Sequence, residues 1–331
     1  MRQLLTIALI AMSACSAAPP DSREAASAQT TASPPPPAQP DAPATAQGRP
    51  ALDCAGRGLE LQLTPSRSVI VLGEPAVVLI AFRNCSGEAR EVPTDIEPEY
   101  SALQLTITSP NSSEPFLYDA PILREPRRQP TVIMEPGVER GTVAHVYLVR
   151  SRGWLLNTEG IYRFGARLMT DQQGIEAAPV DIRVRPAPSA VAHDDLIRLW
   201  SGLGRALYIG TADDAAKSAE WIEERPALSY LSPFVRVAQV MAESEQQYSR
   251  MTKTFEAPKC GELASHARDI VRQVPDPYFS VIAATRLSRC FASLDKAAAA
   301  RELLQEVRTA HGPLARHPAI EMLLREGAPK E

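Results

Sequence analysis

Five cysteines, five histidines and one Ser-x-x-Lys tetrad are the residues of this 331-residue chain best equipped for chemistry. Ser293-Leu294-Asp295-Lys296 spaces a hydroxyl and an amine about one helical turn apart, so that the lysine can serve as base to a serine nucleophile. The companion Ser-Asp-Asn and Lys-Thr-Gly elements of such an acyl-transfer site are absent from the sequence. Asp295 is therefore read as the cap of a helix. His145, His193, His266, His311 and His317 show no i,i+4 pair and no zinc-like spacing with cysteine. His193-Asp194-Asp195 has the look of a cation site, yet acids at a helix start already answer the positive end of the helix dipole. The chain holds no Gly-rich phosphate loop, Gly-x-Ser-x-Gly elbow or paired-carboxylate motif. No catalytic residue, metal or cofactor is assigned, and the expected function is non-enzymatic.

The cysteines divide into one near the start, Cys15, and two pairs far apart, Cys54 with Cys85 and Cys260 with Cys290. Four cysteines allow three pairings. Pairing within each half is the simplest, and each bridge closes a loop of about 30 residues, worth roughly 3–4 kcal/mol in the chain-entropy model. The charge balance is slightly acidic, with 35 Lys and Arg against 39 Asp and Glu, and shows no basic stripe of the kind nucleic acid requires. No nucleic-acid partner is expected.

Around Cys15 the pattern changes abruptly. Arg2 is followed by the mostly apolar run Leu4 to Met12, too short to span a bilayer but of the length of a secretory signal core. Met12-Ser13-Ala14-Cys15 resembles the lipobox of bacterial lipoproteins. That resemblance implies removal of residues 1–14, acylation of Cys15, and a membrane anchored through lipid alone. Ser16 following the cysteine implies sorting to the outer membrane, facing the periplasm. Residues 16–50 are almost entirely Ala, Pro, Ser, Thr and Gln, including Pro34-Pro35-Pro36-Pro37. Such a segment buries too little apolar surface to offset ordering entropy, so 15–51 is read as a disordered tether. As a flexible coil it spans about 30 Å, and in polyproline II about 110 Å.

Beyond the tether, residues 52–186 read as strands. Leu59, Leu61 and Leu63 alternate with polar neighbours, as do Leu103, Leu105 and Ile107, and Val180, Ile182 and Val184. Ala76 to Phe82 is continuously apolar and suits an inner strand. Gly73-Glu74-Pro75, Ser109-Pro110-Asn111, Glu135-Pro136-Gly137 and Asp171-Gln172-Gln173-Gly174 supply turns. Leu72-Gly73-Glu74-Pro75 and Gly160-Ile161-Tyr162-Arg163-Phe164 resemble bacterial immunoglobulin-like domains, which implies a β-sandwich with Tyr162 tied back to the backbone at a corner.

After a linker at 187–192, residues 193–327 turn helical. Leu196, Leu199, Trp200, Leu203 and Leu207 fall on one face. Ser232-Pro233, Asp276-Pro277, Asp295 and His317-Pro318 mark helix starts. The expected helices lie near 194–209, 213–224, 233–251, 259–274, 277–292, 296–310 and 318–326. Cys260 and Cys290 each stand fifteen residues from Pro275. In an antiparallel hairpin broken at that proline, both lie about 22 Å from the turn, at one height on facing helices. Leu287, Ser288, Phe291, Ala300, Leu304 and Val307, echoed by Ala267, Val271 and Val274, resemble the tetratricopeptide repeat. The fold expected is an immunoglobulin-like sandwich followed by a tetratricopeptide-like α-helical domain.

Both resemblances imply binding rather than catalysis, with an envelope protein as partner. A glycan or small-ligand module is the second reading, although the aromatic content of 5% supplies few platforms for sugar rings. The third is a protease-inhibiting loop between Asp119 and Gln129. Arg124, Arg127 and Arg128, in a charged Pro-containing loop, and Trp154 are the candidate surface residues.

Overall fold

Period-two alternation, interrupted by turn residues, breaks the region between Leu59 and Arg185 into short strands. The computed structural model describes Cys54 and residues 58–94, 96–98, 102–120, 131–149, 153–170, 174–245, 247–249 and 254–329. Its strands, in order, are Leu59–Pro65 (β1), Val69–Val71 (β2), Val77–Asn84 (β3), Arg90–Pro93 (β4), Leu103–Thr108 (β5), Phe116–Leu117 (β6), Thr131–Met134 (β7), Glu139–His145 (β8), Leu148–Val149 (β9), Gly153–Trp154 (β10), Gly160–Met169 (β11), Gly174–Glu176 (β12) and Val180–Arg185 (β13). One sheet has the order β1-β3-β8, antiparallel throughout. A second runs β2-β13-β11-β5-β6 with β12 also on β11, and β2 pairs parallel to β13. The ribbons β4–β7 and β9–β10 complete the region.

Burial follows the alternation. Leu103, Leu105 and Ile107 of β5 and Tyr162, Phe164, Ala166 and Leu168 of β11 turn inward, with their neighbours turned outward. They share one core with Leu61, Leu63 and Phe82 of the three-stranded sheet. Strand β3 is the exception. Six consecutive residues from Val77 to Phe82 are buried, because β3 is the central strand of its sheet and is covered on both faces.

From His193 onward the chain is helical: His193–Ile209 (α1), Ala212–Glu223 (α2), Ser232–Glu243 (α3), Cys260–Ser265 (α4), Ala267–Gln273 (α5), Pro277–Ser293 (α6), Ala297–His311 (α7) and Pro318–Gly327 (α8). Two 3₁₀ turns, Pro226–Leu231 and Gly312–Arg316, lead into α3 and α8. The β-then-α order expected from the sequence is thus present.

Local differences have local causes. The helix expected over 233–251 stops at Glu243, and the small hairpin Gln247–Ser249 (β14) and Thr254–Glu256 (β15) follows, pairing Tyr248 with Phe255. Aromatic and β-branched residues there favour extended backbone. The helix expected over 259–274 is split at His266, whose φ of −114° departs from helical geometry. Asp295 caps nothing. It sits at φ 58°, and the α6–α7 corner closes instead through Lys296 N–H to the Phe291 carbonyl at 2.9 Å. Asp276 and His317 do cap their helices. Asp276 accepts from the N–H groups of Tyr278 and Phe279, and His317 Nδ1 accepts from Ala319 N–H at 3.2 Å.

The β and helical regions interlock. Trp200 of α1, fully buried, donates its indole N–H to the Gly73 carbonyl at 2.8 Å. Tyr230 donates to the Leu72 carbonyl. Gly73 has φ 94°, and a side chain there would strike Tyr230 and Leu196. Helix α8 rests on β8 so closely that a Cβ at Gly141 would lie 2.2 Å from the Ala319 nitrogen. The four-residue linker stretch after Pro188 therefore joins surfaces already packed together.

Candidate functional site

Both expected disulfides are present. Cys54 is joined to Cys85 with Cα atoms 5.2 Å apart, and Cys260 to Cys290 at 4.9 Å. Among the described residues one group of possible metal ligands converges, Cys54, Glu60 and Cys85, and both of its sulfurs are spent in the first bridge. Ser293 donates its hydroxyl to the Cys290 carbonyl at 2.8 Å, as a helix-end residue does, and no nucleophile–base contact links it to Lys296. Asp195 pairs with Arg225 at 3.1 Å, which accounts for that acid. Tyr162 is buried, accepts from Thr158 N–H at 3.2 Å and lies within 3.5 Å of the Leu155 carbonyl. Burial raises its phenol above the ordinary range, so the hydroxyl keeps its proton.

Cys15, the tether, Arg124, Arg127 and Arg128 lie outside the described residues. Trp154 stands on β10, paired with Leu148, and its side chain lies outside the description.

The geometry instead draws attention to a groove on the helical region, of about 770 Å³, where α2, the 3₁₀ turn before α3, α3 itself and α5 meet. Its floor is apolar. Ile222, Val235 and Ile270 are buried there, with Ala219 partly so. Helical periodicity explains the pattern, since each of these elements turns one apolar edge toward the groove and its polar edge to the rim. Glu223, Asp269, Gln273 and His266 stand exposed on that rim. Arg236 is half-buried and donates to Gln239 at 3.1 Å. Beside the groove, Arg225 lies 3.2 Å over the Trp221 ring, and Arg198 4.9 Å from it. Sequence reading missed this groove because its residues are ordinary helix-face residues, and only packing brings the three helices together.

A second polar constellation lies between the β and helical regions. Asp276, wholly buried, accepts the Ser66 hydroxyl at 2.5 Å as well as the two α6 amides. Burial is the largest influence on its carboxyl and raises it to about 6, against the lowering effect of Ser66, Arg67 and the amides. Arg67 is held 2.8 Å from the buried Glu74, which also accepts from Val71 N–H. Tyr278 meets His145 Nε2 at 2.8 Å, and the phenol of Tyr118 donates to the His145 carbonyl at 2.6 Å. These groups are closed in by packing and serve as the joint of the two regions.

No protein-family model and no curated protein matches the chain. Among solved structures, it is similar to a β-glucosidase from Erythrobacter marinus at 19% identity and a TM-score of 0.24, covering 39% of this chain and 15% of that one. It is similar to a sporulation control protein from Bacillus subtilis at 10% identity and a TM-score of 0.25, covering 45% and 55%. A CARDB domain from Pyrococcus furiosus gives 16% identity and a TM-score of 0.23, covering 38% and 93%. The chain thus spans well under two thirds of the first two proteins, and likeness at this level assigns neither family nor activity.

Proposed function

We propose that this chain is a non-enzymatic, lipid-anchored envelope protein that binds a partner protein through the groove between α2, α3 and α5. The observation that carries the reading is the groove itself: open, about 770 Å³, apolar in its floor and polar at its rim, the chemistry of a peptide-accepting surface. The finer fold reading goes with it. The buried Tyr162, tied back to the turn before its strand, supports an immunoglobulin-like sandwich. Arg268 pairs with Glu302 at 2.9 Å and Arg272 with Glu306 at 2.7 Å, both 34 residues apart, which supports tetratricopeptide-like stacking of α5 beside α7. Cys85, bonded to the cysteine nearest the tether, follows the last residue of β3, while Ser66 and Gly73, which meet the helices, lie at its other end. With about 3.3 Å per residue along β3, the Ser66 and Gly73 contacts stand about 25 Å from Cys85, while α8 meets the sheet closer to it, at Gly141 opposite Ala81.

Two measurements test this. Cys15→Ser is expected to move the protein out of the membrane fraction, and a variant that remains there removes the anchor from the proposal. A photoreactive residue in place of exposed Gln273, in the intact chain in cells, is expected to capture one protein reproducibly. The same residue in place of Asp181, on the exposed side of the β-sheet, serves as the control, and equal capture at both positions removes the groove.

A further inference from the structure

Resting on the groove reading, we infer that the occupant is a basic segment of a partner protein, bearing Lys or Arg beside small or aliphatic residues. A second depression of about 210 Å³ shares Gln239 with the groove and continues it along α2 and α3. Together the two are lined by Asp213, Glu223, Glu243, Glu245 and Asp269, against Arg236 and Lys259. Part of this charge is matched internally. Lys259 stands 3.8 Å from Glu243, and Glu245 pairs with Arg286. Asp213, Glu223 and Asp269 remain exposed with no ion-pair partner among the described residues, and Arg236 is engaged by Gln239.

An acidic guest would bring like charges together on this rim, and a purely apolar guest would cover carboxylates without answering them. A Lys or Arg side chain satisfies both parts, laying its methylenes on Ile222, Val235 and Ile270 while its charged head reaches the rim. The chain's own tether is a poor occupant. Residues 16–50 carry Arg23 and Arg49 but also Asp21, Glu24 and Asp41, and no aliphatic side chain larger than alanine apart from proline.

The test uses the full chain and two fluorescein-labelled twelve-residue peptides of identical Leu and Ala spacing, one bearing four lysines and the other four glutamates. Fluorescence anisotropy is followed in 50 and 300 mM NaCl, together with photocrosslinking from position 273. The lysine peptide is expected to bind at least tenfold tighter than the glutamate peptide, to weaken at the higher salt, and to crosslink at 273. Glu223→Lys combined with Asp269→Lys, both at exposed positions, is expected to cost it at least tenfold in affinity with an unchanged circular dichroism spectrum. A glutamate peptide that binds and crosslinks equally well overturns the charge assignment and leaves the groove standing. Failure of both peptides to crosslink, or binding indifferent to the double charge reversal, overturns the inference. Capture at 273 in cells, by contrast, bears on the groove reading alone.

Discussion

Replacing Asp276 with asparagine removes a titrating group from the joint of the molecule while keeping its shape. The wild-type carboxyl sits between Ser66 on the loop after β1 and the first amides of α6, with Arg67 as the nearby positive charge. Its proton is held more tightly in the folded chain, about 6, than in the unfolded one, 3.8. Stability from this group is therefore fully present below pH about 4 and is lost as pH rises through about 6. At about 1.4 kcal/mol for each pH unit, the gap corresponds to about 3 kcal/mol in all, of which about half is lost between pH 5 and 8. Asparagine keeps an acceptor for the Tyr278 and Phe279 amides and offers an N–H to Ser66. Urea unfolding of both proteins at pH 5, 6, 7 and 8, followed by circular dichroism, isolates the difference, because His145 and every other titrating group is common to both. The wild type is expected to lose about 1 kcal/mol relative to the variant across that range. Parallel profiles, or a wild type that gains on the variant as pH rises, refute the reasoning.

Three further perturbations probe the same architecture. Gly141→Ala drives a methyl group into the backbone of α8 and is expected to cost about 1–3 kcal/mol, read as a lowered urea midpoint; an unchanged midpoint means α8 does not press on β8. Trp200→Phe leaves the Gly73 carbonyl without its donor, and a loss of about 1–3 kcal/mol is expected in the same assay. Cys260→Ser with Cys290→Ser opens a loop of about 30 residues and is expected to cost about 3–4 kcal/mol. A melting temperature equal to that of the oxidised wild type counts against that last figure.

The strands were legible because their burial obeys the simplest rule available. Leu103, Leu105 and Ile107 face inward and Gln104, Thr106 and Thr108 do not. The second disulfide was legible because a proline between two helical runs fixes equal distances to both cysteines. What sequence reading missed depends on residues brought together from afar. Ser66 and Asp276 are 210 residues apart, and Trp200 and Gly73 are 127 apart. No local pattern announces that a helix cap will also serve as an acceptor across the joint. The groove is hidden for the same reason, since Ile222, Val235 and Ile270 read as three separate helix faces. Asp295 misled because an aspartate before a helix is usually its cap, whereas here left-handed backbone turns the corner and carbonyls are satisfied by main-chain N–H groups.

The bridge between Cys54 and Cys85 decides how the molecule bears load. Strand β1 is an edge strand, and its first residue pairs with Asn84 at the end of β3. A pull applied at the start of β1 would open that ladder one hydrogen bond after another, like a zipper. With the sulfurs joined, a pull on the chain before Cys54 passes by the bridge to Cys85 and on to the residue after it, so that β1, β2 and β3 lie in a closed loop that the pull does not lengthen. In single-molecule stretching from the N-terminus, the oxidised protein is expected to yield at a higher force than the reduced one, and the first lengthening seen after reduction should match the release of the 31-residue loop.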